Sequence, residues 1–240
     1  MAFQYDLARF IPFRDVAACE RVRAISRDQI ARHPNPDFRI AVMDDPGQFY
    51  FAFALDIVDR IRQARDEGRR FVGIFPVGPM PQYAYAARLI NALILPLSHV
   101  HTFNMDEYAD QDGNTAPIDW PGSFQRAMWE SFFSQIRPEL RPPETQIHFP
   151  TREALSDYGR RIADLGGADV CYGGIGWCGH IAFWEAHLGE EFGQDLESYC
   201  KAGPRLVELH PMTIMQNALH SFGGDWSWVP PKANTIGPAE

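Results

Sequence analysis

Residues 70–77 read RFVGIFPV, and residues 80–93, which follow a short loop, read MPQYAYAARLINAL. The first segment is a short apolar run with charge on one side and a Pro/Gly cluster on the other, which is typical of a buried parallel strand. The second segment is predicted to form a helix. A strand that leads into a helix is the repeating unit of an α/β fold.

The same alternation of strand and helix continues along the chain. Further strands are predicted at 99–104, 146–149 and 169–172, and further helices at 123–136 and 152–165. Two more helices precede the first strand, at 15–33 with Asp15 as N-cap and at 46–68 between a proline and a glycine. The pattern predicts a mostly parallel sheet with helices on both faces, and residues 222–231 are expected to form an irregular loop.

Length alone allows either one large domain or two small ones, and we expect a single domain over residues 1–240. With 240 residues, of which 45% are hydrophobic, the chain can bury one sizeable core, and it shows no internal repeat. The net charge of −9 and the scattered lysines and arginines argue against a nucleic-acid partner. Because no apolar segment is long enough to span a bilayer and no signal-peptide core is present, we expect a soluble, cytoplasmic protein without a membrane partner.

The four cysteines, Cys19, Cys171, Cys178 and Cys200, contain no CxxC pair. Their spacing therefore predicts neither a zinc site nor a disulfide framework, and no metal ligands are assigned. Reduced thiols are the expected state.

Ligands of parallel sheets bind beyond the carboxyl ends of the strands, so the residues after each strand form the candidate site. After the first strand, Val77, Gly78, Pro79 and Met80 lead into a helix N-terminus, where free N–H groups favour anions such as phosphate. Proline donates no hydrogen bond, and valine and methionine offer no hydroxyl. A tight structural turn is therefore nearly as good an interpretation of this loop.

Two adjacent carboxylates, Asp106 and Glu107, follow the second strand. Such a carboxylate at the edge of the crevice could serve as a general base or contact a substrate. The alternative is that one or both of them cap or orient a loop.

A glycine-rich segment at 173–185 reads GGIGWCGHIAFWE. Its glycines, which include Gly174, Gly176 and Gly179, can let the backbone pass close to a ligand. His180 and Glu185 are five residues apart, so a hydrogen bond between them across a turn is feasible. A histidine that is satisfied within the core is the alternative.

Three segments carry a resemblance: TFNMDEY at 102–108, GGIGxxGHIAFxE at 173–185 and LHPMTIMQNA at 209–218. In their order and separation they resemble the glucosamine-6-phosphate deaminase/isomerase family, which is related to 6-phosphogluconolactonase. Weaker similarity at 123–133 and in ANTIG at 233–237 extends the match over roughly residue 70 to the end.

The resemblance implies a Rossmann-like three-layer α/β sandwich and an enzyme of amino-sugar catabolism that uses no metal or organic cofactor. Such enzymes open the sugar ring, interconvert aldose and ketose, and release ammonia. Asp106 would move a proton between C1 and C2, His180 would promote ring opening, and Glu185 would hold His180. Family members often form oligomers, although nothing in this sequence marks an interface.

The sequence departs from the family pattern at three places. Cys178 stands where the GxDGH motif has an aspartate, and a thiol, whose ordinary pKa lies above neutrality, supplies no fixed charge. It is interpreted either as a nucleophile beside His180 or as an inert space-filling residue. The loop at 76–81 lacks the family's hydroxyls, and the family's phosphate-binding lysine has no counterpart before Glu240.

The missing counterpart of the phosphate-binding lysine leaves two explanations open: either the chain is a fragment or its sheet closes differently. Lys201 or Arg205 could then supply the cation, unless both are surface charges. The leading hypothesis is an isomerase and deaminase of an amino sugar phosphate such as glucosamine 6-phosphate. The alternatives are a sugar lactone hydrolase of the 6-phosphogluconolactonase type and a catalytically silent relative that binds a sugar or sugar phosphate.

Overall fold

The structure is a computed structural model that describes residues 5–9 and 13–240. Its helices are α1 (Val16–Arg23), α2 (Pro46–Asp66), α3 (Pro81–Ala92), α4 (Phe124–Ser131), α5 (Leu155–Asp164), α6 (Leu196–Cys200) and α7 (Pro211–Ser221). Its strands are β1 (Phe71–Phe75), β2 (Val100–Asn104), β3 (Asp106–Ala109), β4 (Ile147–His148), β5 (Val170–Cys171), β6 (Arg205–Glu208) and β7 (Lys232–Thr235). Among the described residues, no helix has the length and apolar character needed to cross a bilayer.

The first sheet has four parallel strands in the order β4-β2-β1-β5. All five residues of β1 are buried, as its apolar sequence predicts. Gly73 lies between the rings of Phe71 and Phe75, and a β-carbon there would lie 2.6 Å from the Phe75 ring. The glycine therefore allows two large aromatic side chains to share one face of a short strand.

Helices cover both faces of this sheet, which confirms the predicted layers. On one face, the rings of Phe71 and Phe75 pack against α2, α3 and α4. On the other face, Val72 and Ile74 pack against Tyr158 and Ile162 of α5. The alternation of β1 side chains between the two clusters follows from the two-residue period of a strand.

A second sheet, antiparallel and in the order β3-β7-β6, was not predicted. The pairing of β3 with β7 begins at Asp106 and Thr235, which lie 129 residues apart in sequence. Only Met105 separates the end of β2 from the start of β3, so the DEYA sequence of β3 looks like the loop that should follow a parallel strand. α7 packs on this sheet through an apolar cluster that includes Tyr108, Val207 and Ala218.

The predicted helices at 15–33 and 123–136 are both too long. The Asp15 cap is confirmed, because its carboxylate accepts a hydrogen bond of 2.8 Å from the Ala18 N–H. α1 nevertheless ends at Arg23 and none of its residues is buried, so it lacks the tertiary packing that stabilises most helices. α4 ends at Ser131 and gives way to a 3-10 turn at Phe133–Gln135. The loop expected at 222–231 is confirmed, with one 3-10 turn at Trp226–Trp228.

Candidate active site

The two sheets meet at Met105, directly after β2. Its N–H donates to the Phe75 carbonyl at the end of β1 (3.0 Å), and its carbonyl accepts from the Ile236 N–H after β7 (2.9 Å). Asp106 therefore begins the antiparallel sheet at the carboxyl end of the parallel one. This is the edge where ligands of open α/β sheets bind.

The Asp106 side chain is buried, with 7% of its residue surface exposed. Its Oδ1 accepts hydrogen bonds from the Thr235 hydroxyl (2.6 Å) and from the Phe183 N–H (2.8 Å). Its Oδ2 has no hydrogen-bond donor within residues 5–9 and 13–240. The protein thus fixes Oδ1 with two donors and leaves Oδ2 without one from the described part of the chain.

Burial raises the pKa of Asp106 to about 7, although the hydrogen bonds from Thr235 and Phe183 oppose this effect. A carboxyl group with such a pKa is divided between its two protonation states at neutral pH. It can therefore both accept and return a proton, which is the property that a proton-transfer catalyst needs.

A second group of side chains, here called the relay cluster, consists of Cys178, His180, Glu185 and Thr213. The Nδ1 of His180 lies 3.0 Å from the Cys178 sulfur, 3.2 Å from Glu185 Oε2 and 3.1 Å from the Thr213 hydroxyl. Glu185 Oε2 also accepts from the Cys178 thiol (3.1 Å) and from Thr213 (3.0 Å), and its Oε1 accepts from the His210 N–H (3.2 Å). The predicted contact between His180 and Glu185 is present.

The relay cluster favours a protonated imidazole. Burial lowers the pKa of His180, but the hydrogen bonds to Cys178 and Glu185 and the Glu185 charge outweigh burial and raise it to about 10. Burial raises the pKa of Glu185, and the same contacts reverse that effect, so its pKa lies below the usual range. The pair is therefore an imidazolium beside a carboxylate at neutral pH.

Two of the predicted glycines are needed where they stand. A β-carbon at Gly176 would lie 2.1 Å from Nε2 of His180, so only glycine lets the backbone pass beside the ring. Gly179 has a φ of 87°, in the left-handed region that glycine favours. A β-carbon at Gly174 would meet nothing within 4 Å, so space alone does not require that glycine.

The loop predicted to hold an anion forms a tight turn. The Tyr83 hydroxyl donates to the Pro76 carbonyl (2.6 Å), and the Gln82 side chain donates to the Pro79 carbonyl. Val77 and Met80 pack against the apolar core and line one end of a cavity of about 440 Å³. Tyr108, Phe124, Phe222 and Trp228 are among its other walls, and its lining among the described residues contains no lysine or arginine.

Glu107 and Lys201 are not brought to Asp106. The Glu107 carboxylate is fully buried and accepts four hydrogen bonds, from the N–H groups of Tyr108, Phe124 and Gln125 and from the Ser123 hydroxyl. It thereby caps the start of α4, which is the alternative that the sequence left open. Lys201 pairs with Glu197 on the surface at 2.5 Å, and 72% of its side chain is exposed.

Arg205, the other cation considered, pairs with Glu191 at 2.7 Å, and its guanidinium lies 5.0 Å from the centre of the Trp184 ring. The Arg205 guanidinium is therefore occupied by two neighbours near β6, Glu191 and Trp184.

Sequence reasoning missed three groups that hold the site together: the hydroxyls of Thr213 and Thr235 and the N–H of Phe183. All three lie within segments quoted for the resemblance, but no role was assigned to them. Their partners lie between 28 and 129 residues away along the chain, so only the fold brings these groups together.

Comparison with known proteins identifies the family. The chain is 34% identical over 187 residues to a glucosamine-6-phosphate deaminase of Caenorhabditis elegans, covering 75% of this chain and 63% of that protein. It is 32% identical over 206 residues to the deaminase of Tolumonas auensis, covering 83% of this chain and 71% of that protein. The chain belongs to the glucosamine-6-phosphate deaminase family. No family model matches it.

Solved structures agree with this family and its fold. A monomeric glucosamine-6-phosphate deaminase of the NagB superfamily superposes with a TM-score of 0.62 at 25% identity, covering 79% of this chain and 71% of that one. A 6-phosphogluconolactonase from Thermotoga maritima shares the fold, with a TM-score of 0.54 at 19% identity over 82% of this chain and 76% of that one. The chain spans 63% of the length of the Caenorhabditis elegans deaminase and 47% of that of a glucosamine-6-phosphate deaminase 2 of Xenopus tropicalis.

Proposed function

We propose that this protein is an aldose–ketose isomerase and deaminase of an amino sugar phosphate, with glucosamine 6-phosphate as the substrate to test first. The products would be a ketose phosphate and ammonia. The observation that carries the proposal is the Asp106 carboxyl group, which is buried, has a pKa of about 7 and receives hydrogen bonds from the described residues on Oδ1 alone. The deaminase relatives support the choice of substrate.

In the proposed reaction, Asp106 Oδ2 removes the proton from C2 of the opened sugar and returns it to C1. The electron pair of the C2–H bond forms a C1=C2 double bond while O1 takes up a proton, which gives an enediol-type intermediate with the amino group on C2. When C1 is reprotonated, the nitrogen loses a proton and an imine remains at C2. Water adds to C2 and ammonia departs, so the overall change is the replacement of nitrogen by oxygen. The hydrogen bonds from Thr235 and Phe183 hold Oδ1 and thereby fix the direction in which Oδ2 points.

His180 is proposed to open the ring by donating its Nε2 proton to the ring oxygen. Glu185 holds the opposite nitrogen, so the ring is oriented and its charged form is stabilised before the substrate arrives. Nε2 lies beside Gly176 and has no protein hydrogen-bond partner in the part of the chain described. The proton that it carries is therefore available to a sugar oxygen.

A catalytically silent sugar-binding relative is the second candidate, and two observations favour it. The Cys178 thiol donates a hydrogen bond to Glu185, whereas the family's aspartate would add a negative charge at this position. In addition, the cavity beside Val77 and Met80 has no cation among its described lining residues. A protein with these features would lack the charge of the family's relay and would bind a phosphate ester weakly.

The test is ammonia release together with exchange of carbon-bound hydrogen for deuterium, at C2 of glucosamine 6-phosphate and glucosamine and at C1 of fructose 6-phosphate, which carries no hydrogen on C2. We expect ammonia from glucosamine 6-phosphate and exchange with fructose 6-phosphate. Activity on glucosamine alone would assign an unphosphorylated substrate. Binding of the phosphate esters without exchange or ammonia would overturn the proposal in favour of the silent relative.

A further inference from the structure

The relay cluster brings four donor atoms into a nearly regular tetrahedron. The six distances among the Cys178 sulfur, His180 Nδ1, Glu185 Oε2 and the Thr213 hydroxyl range from 3.0 to 3.6 Å. The thiol, the hydroxyl and the imidazolium Nδ1–H supply only three hydrogens for these six contacts. Hydrogen bonds therefore serve at most half of the contacts, while a cation at the centre would touch all four atoms.

The size of the tetrahedron is close to that of a zinc site. Around a tetrahedral zinc ion, bond lengths of about 2.0 to 2.3 Å place neighbouring ligand atoms about 3.4 to 3.6 Å apart. The three atoms of Cys178, His180 and Glu185 are 3.0 to 3.2 Å apart, so each edge would widen by about 0.4 Å. Small side-chain rotations supply such a change.

The chemistry of the donors selects the kind of cation. One sulfur, one imidazole nitrogen and one carboxylate oxygen suit a borderline ion such as Zn²⁺, whereas Mg²⁺ and Ca²⁺ prefer oxygen ligands alone. Three protein ligands plus one weak or open corner, here occupied by the Thr213 hydroxyl, match the ligand number of zinc sites that exchange a ligand. The cysteine spacing predicted no zinc site because the common zinc motifs contain paired cysteines, whereas this cluster contains a single cysteine.

The cluster can be reached from solvent. His180 and Glu185 are buried, but Cys178 is partly exposed. The loop around it is open, since half of the Trp177 surface and 80% of the Ile175 surface are exposed. A hydrated ion can therefore approach on the sulfur side.

We propose that Cys178, His180 and Glu185 form a binding site for a zinc-class divalent cation, and that the bound ion reversibly silences the relay. On binding, the thiol loses its S–H proton and His180 loses its Nδ1–H proton. Two protons pass to solvent, and the ion gains one sulfur, one nitrogen and one oxygen ligand. No oxidation or reduction takes place.

Silencing follows from which nitrogen the ion occupies. With Nδ1 and Glu185 Oε2 both bound to the ion, the hydrogen bond of 3.2 Å by which Glu185 holds the imidazole is replaced by two metal bonds, and the ring is fixed to the ion instead of to Glu185. This consequence depends on the function proposed above, whereas binding of the ion does not.

The first experiment is a titration of the full chain, freed of metal by a chelator, with Co²⁺. We expect the absorption band of a cobalt–thiolate bond in the near ultraviolet, saturating at one ion per chain and bleached by Zn²⁺. Cys178→Ser should abolish the band and weaken Zn²⁺ binding by more than about 100-fold, because even the loss of a residue that only supports a ligand lowers affinity about 10- to 100-fold. Cys200→Ser, which removes an exposed thiol elsewhere, should keep the band.

Thermal unfolding with and without Zn²⁺ guards against a folding defect in the variant. Zn²⁺ should raise the melting temperature of the native chain and of Cys200→Ser, but not of Cys178→Ser or Cys178→Ala, whose metal-free melting temperatures are compared alongside. Absence of the cobalt band from the native chain, or its persistence in Cys178→Ser, overturns the proposal.

Activity assays distinguish binding of the ion from silencing of the relay by the bound ion. If the enzyme turns over glucosamine 6-phosphate, one equivalent of Zn²⁺ should suppress ammonia release and a chelator should restore it. Full activity of the zinc-loaded chain would overturn the silencing step. If no substrate is turned over, the cobalt band still decides whether the ion binds, while the proposed function alone fails.

Discussion

Asp106 and Glu107 are neighbours on β3, and their side chains point to opposite faces of the strand into very different surroundings. Both carboxylates are buried, and burial raises the pKa of both. Glu107 receives four hydrogen bonds shared between its two oxygens, most of them from the start of α4. Asp106 receives two, both on Oδ1.

The difference teaches how a buried acid becomes structural or catalytic. When every oxygen lone pair has a donor, as on the Glu107 side, the carboxylate fixes a helix and has nothing left for a ligand. When one oxygen stays free and the charge is poorly compensated, as on the Asp106 side, the protein holds a group that gains from contact with a substrate. Such uncompensated groups are typical of active sites.

The largest expected effect comes from Asp106→Asn. The amide keeps the shape of the carboxylate but cannot accept a proton from carbon, so exchange at C2 should fall by about 1,000-fold or more. Deuterium exchange at C2 of glucosamine 6-phosphate, and at C1 of fructose 6-phosphate for the reverse direction, measures the loss. Asp119→Asn, the same change at an exposed position, should leave the rate unchanged.

The affinity of Asp106→Asn for the sugar phosphate is measured alongside its exchange rate. Because Asn can still accept at Oδ1 from Thr235 and Phe183, binding of the sugar phosphate should stay within a few-fold of the native value. An unchanged exchange rate would mean that Asp106 does not transfer the proton and that its carboxylate, like that of Glu107, has a structural role.

The same substitution should stabilise the fold at neutral and alkaline pH. The pKa of Asp106 is about 7 in the folded chain, against an ordinary value of 3.8, so its contribution to stability is complete below pH 3.8 and is lost as the pH rises through 7. Asp106→Asn removes this loss. The gain in unfolding free energy should grow between pH 4 and 7 and level off at no more than about 4 kcal/mol.

Urea unfolding of both chains at pH 5 and pH 8 measures this gain. A difference between the chains that does not change with pH would mean that Asp106 ionises as easily inside the protein as in water.

Glu107→Gln should act in the opposite direction. The amide nitrogen would replace one oxygen and face the N–H of Gln125 or Phe124, so buried donors would lose their acceptor. We expect a loss of about 2 kcal/mol in the free energy of unfolding. Urea unfolding checks the loss, and the activity per folded molecule should be affected far less than by Asp106→Asn.

The sequence was sufficient for those parts of the fold that depend on neighbouring residues. The apolar run at 70–77 and its following helix predicted the parallel sheet, and the paired segments around Asp106 and His180 predicted the family. It was not sufficient for the antiparallel sheet, because the pairing of Asp106 with Thr235 joins segments from distant parts of the chain. The free Oδ2, the cap role of Glu107 and the tetrahedral cluster all depend on that pairing or on similar long-range contacts.

The smallest effect is expected for a change in the relay cluster, which is compared here with the changes at Asp106 and Glu107 on β3. An aspartate at position 178 would place a second carboxylate where the Cys178 sulfur now lies, 3.0 Å from His180 Nδ1 and 3.1 Å from Glu185 Oε2. A carboxylate is a stronger hydrogen-bond acceptor for the Nδ1–H than the thiol and would hold the ring more firmly, so Cys178→Asp should raise ammonia release by about 10-fold, a fraction of the range for general acid–base catalysis.

Cys178→Asn is the matched control, since it has nearly the same shape without the charge. Equal gains in both variants would assign the effect to packing. A rate that falls in Cys178→Asp but not in Cys178→Asn would mean that the second carboxylate repels Glu185 more than it stabilises His180. In that case the thiol is the better partner for this cluster, and the replacement of the family's aspartate by Cys178 is an adaptation of the site to a different use rather than a loss.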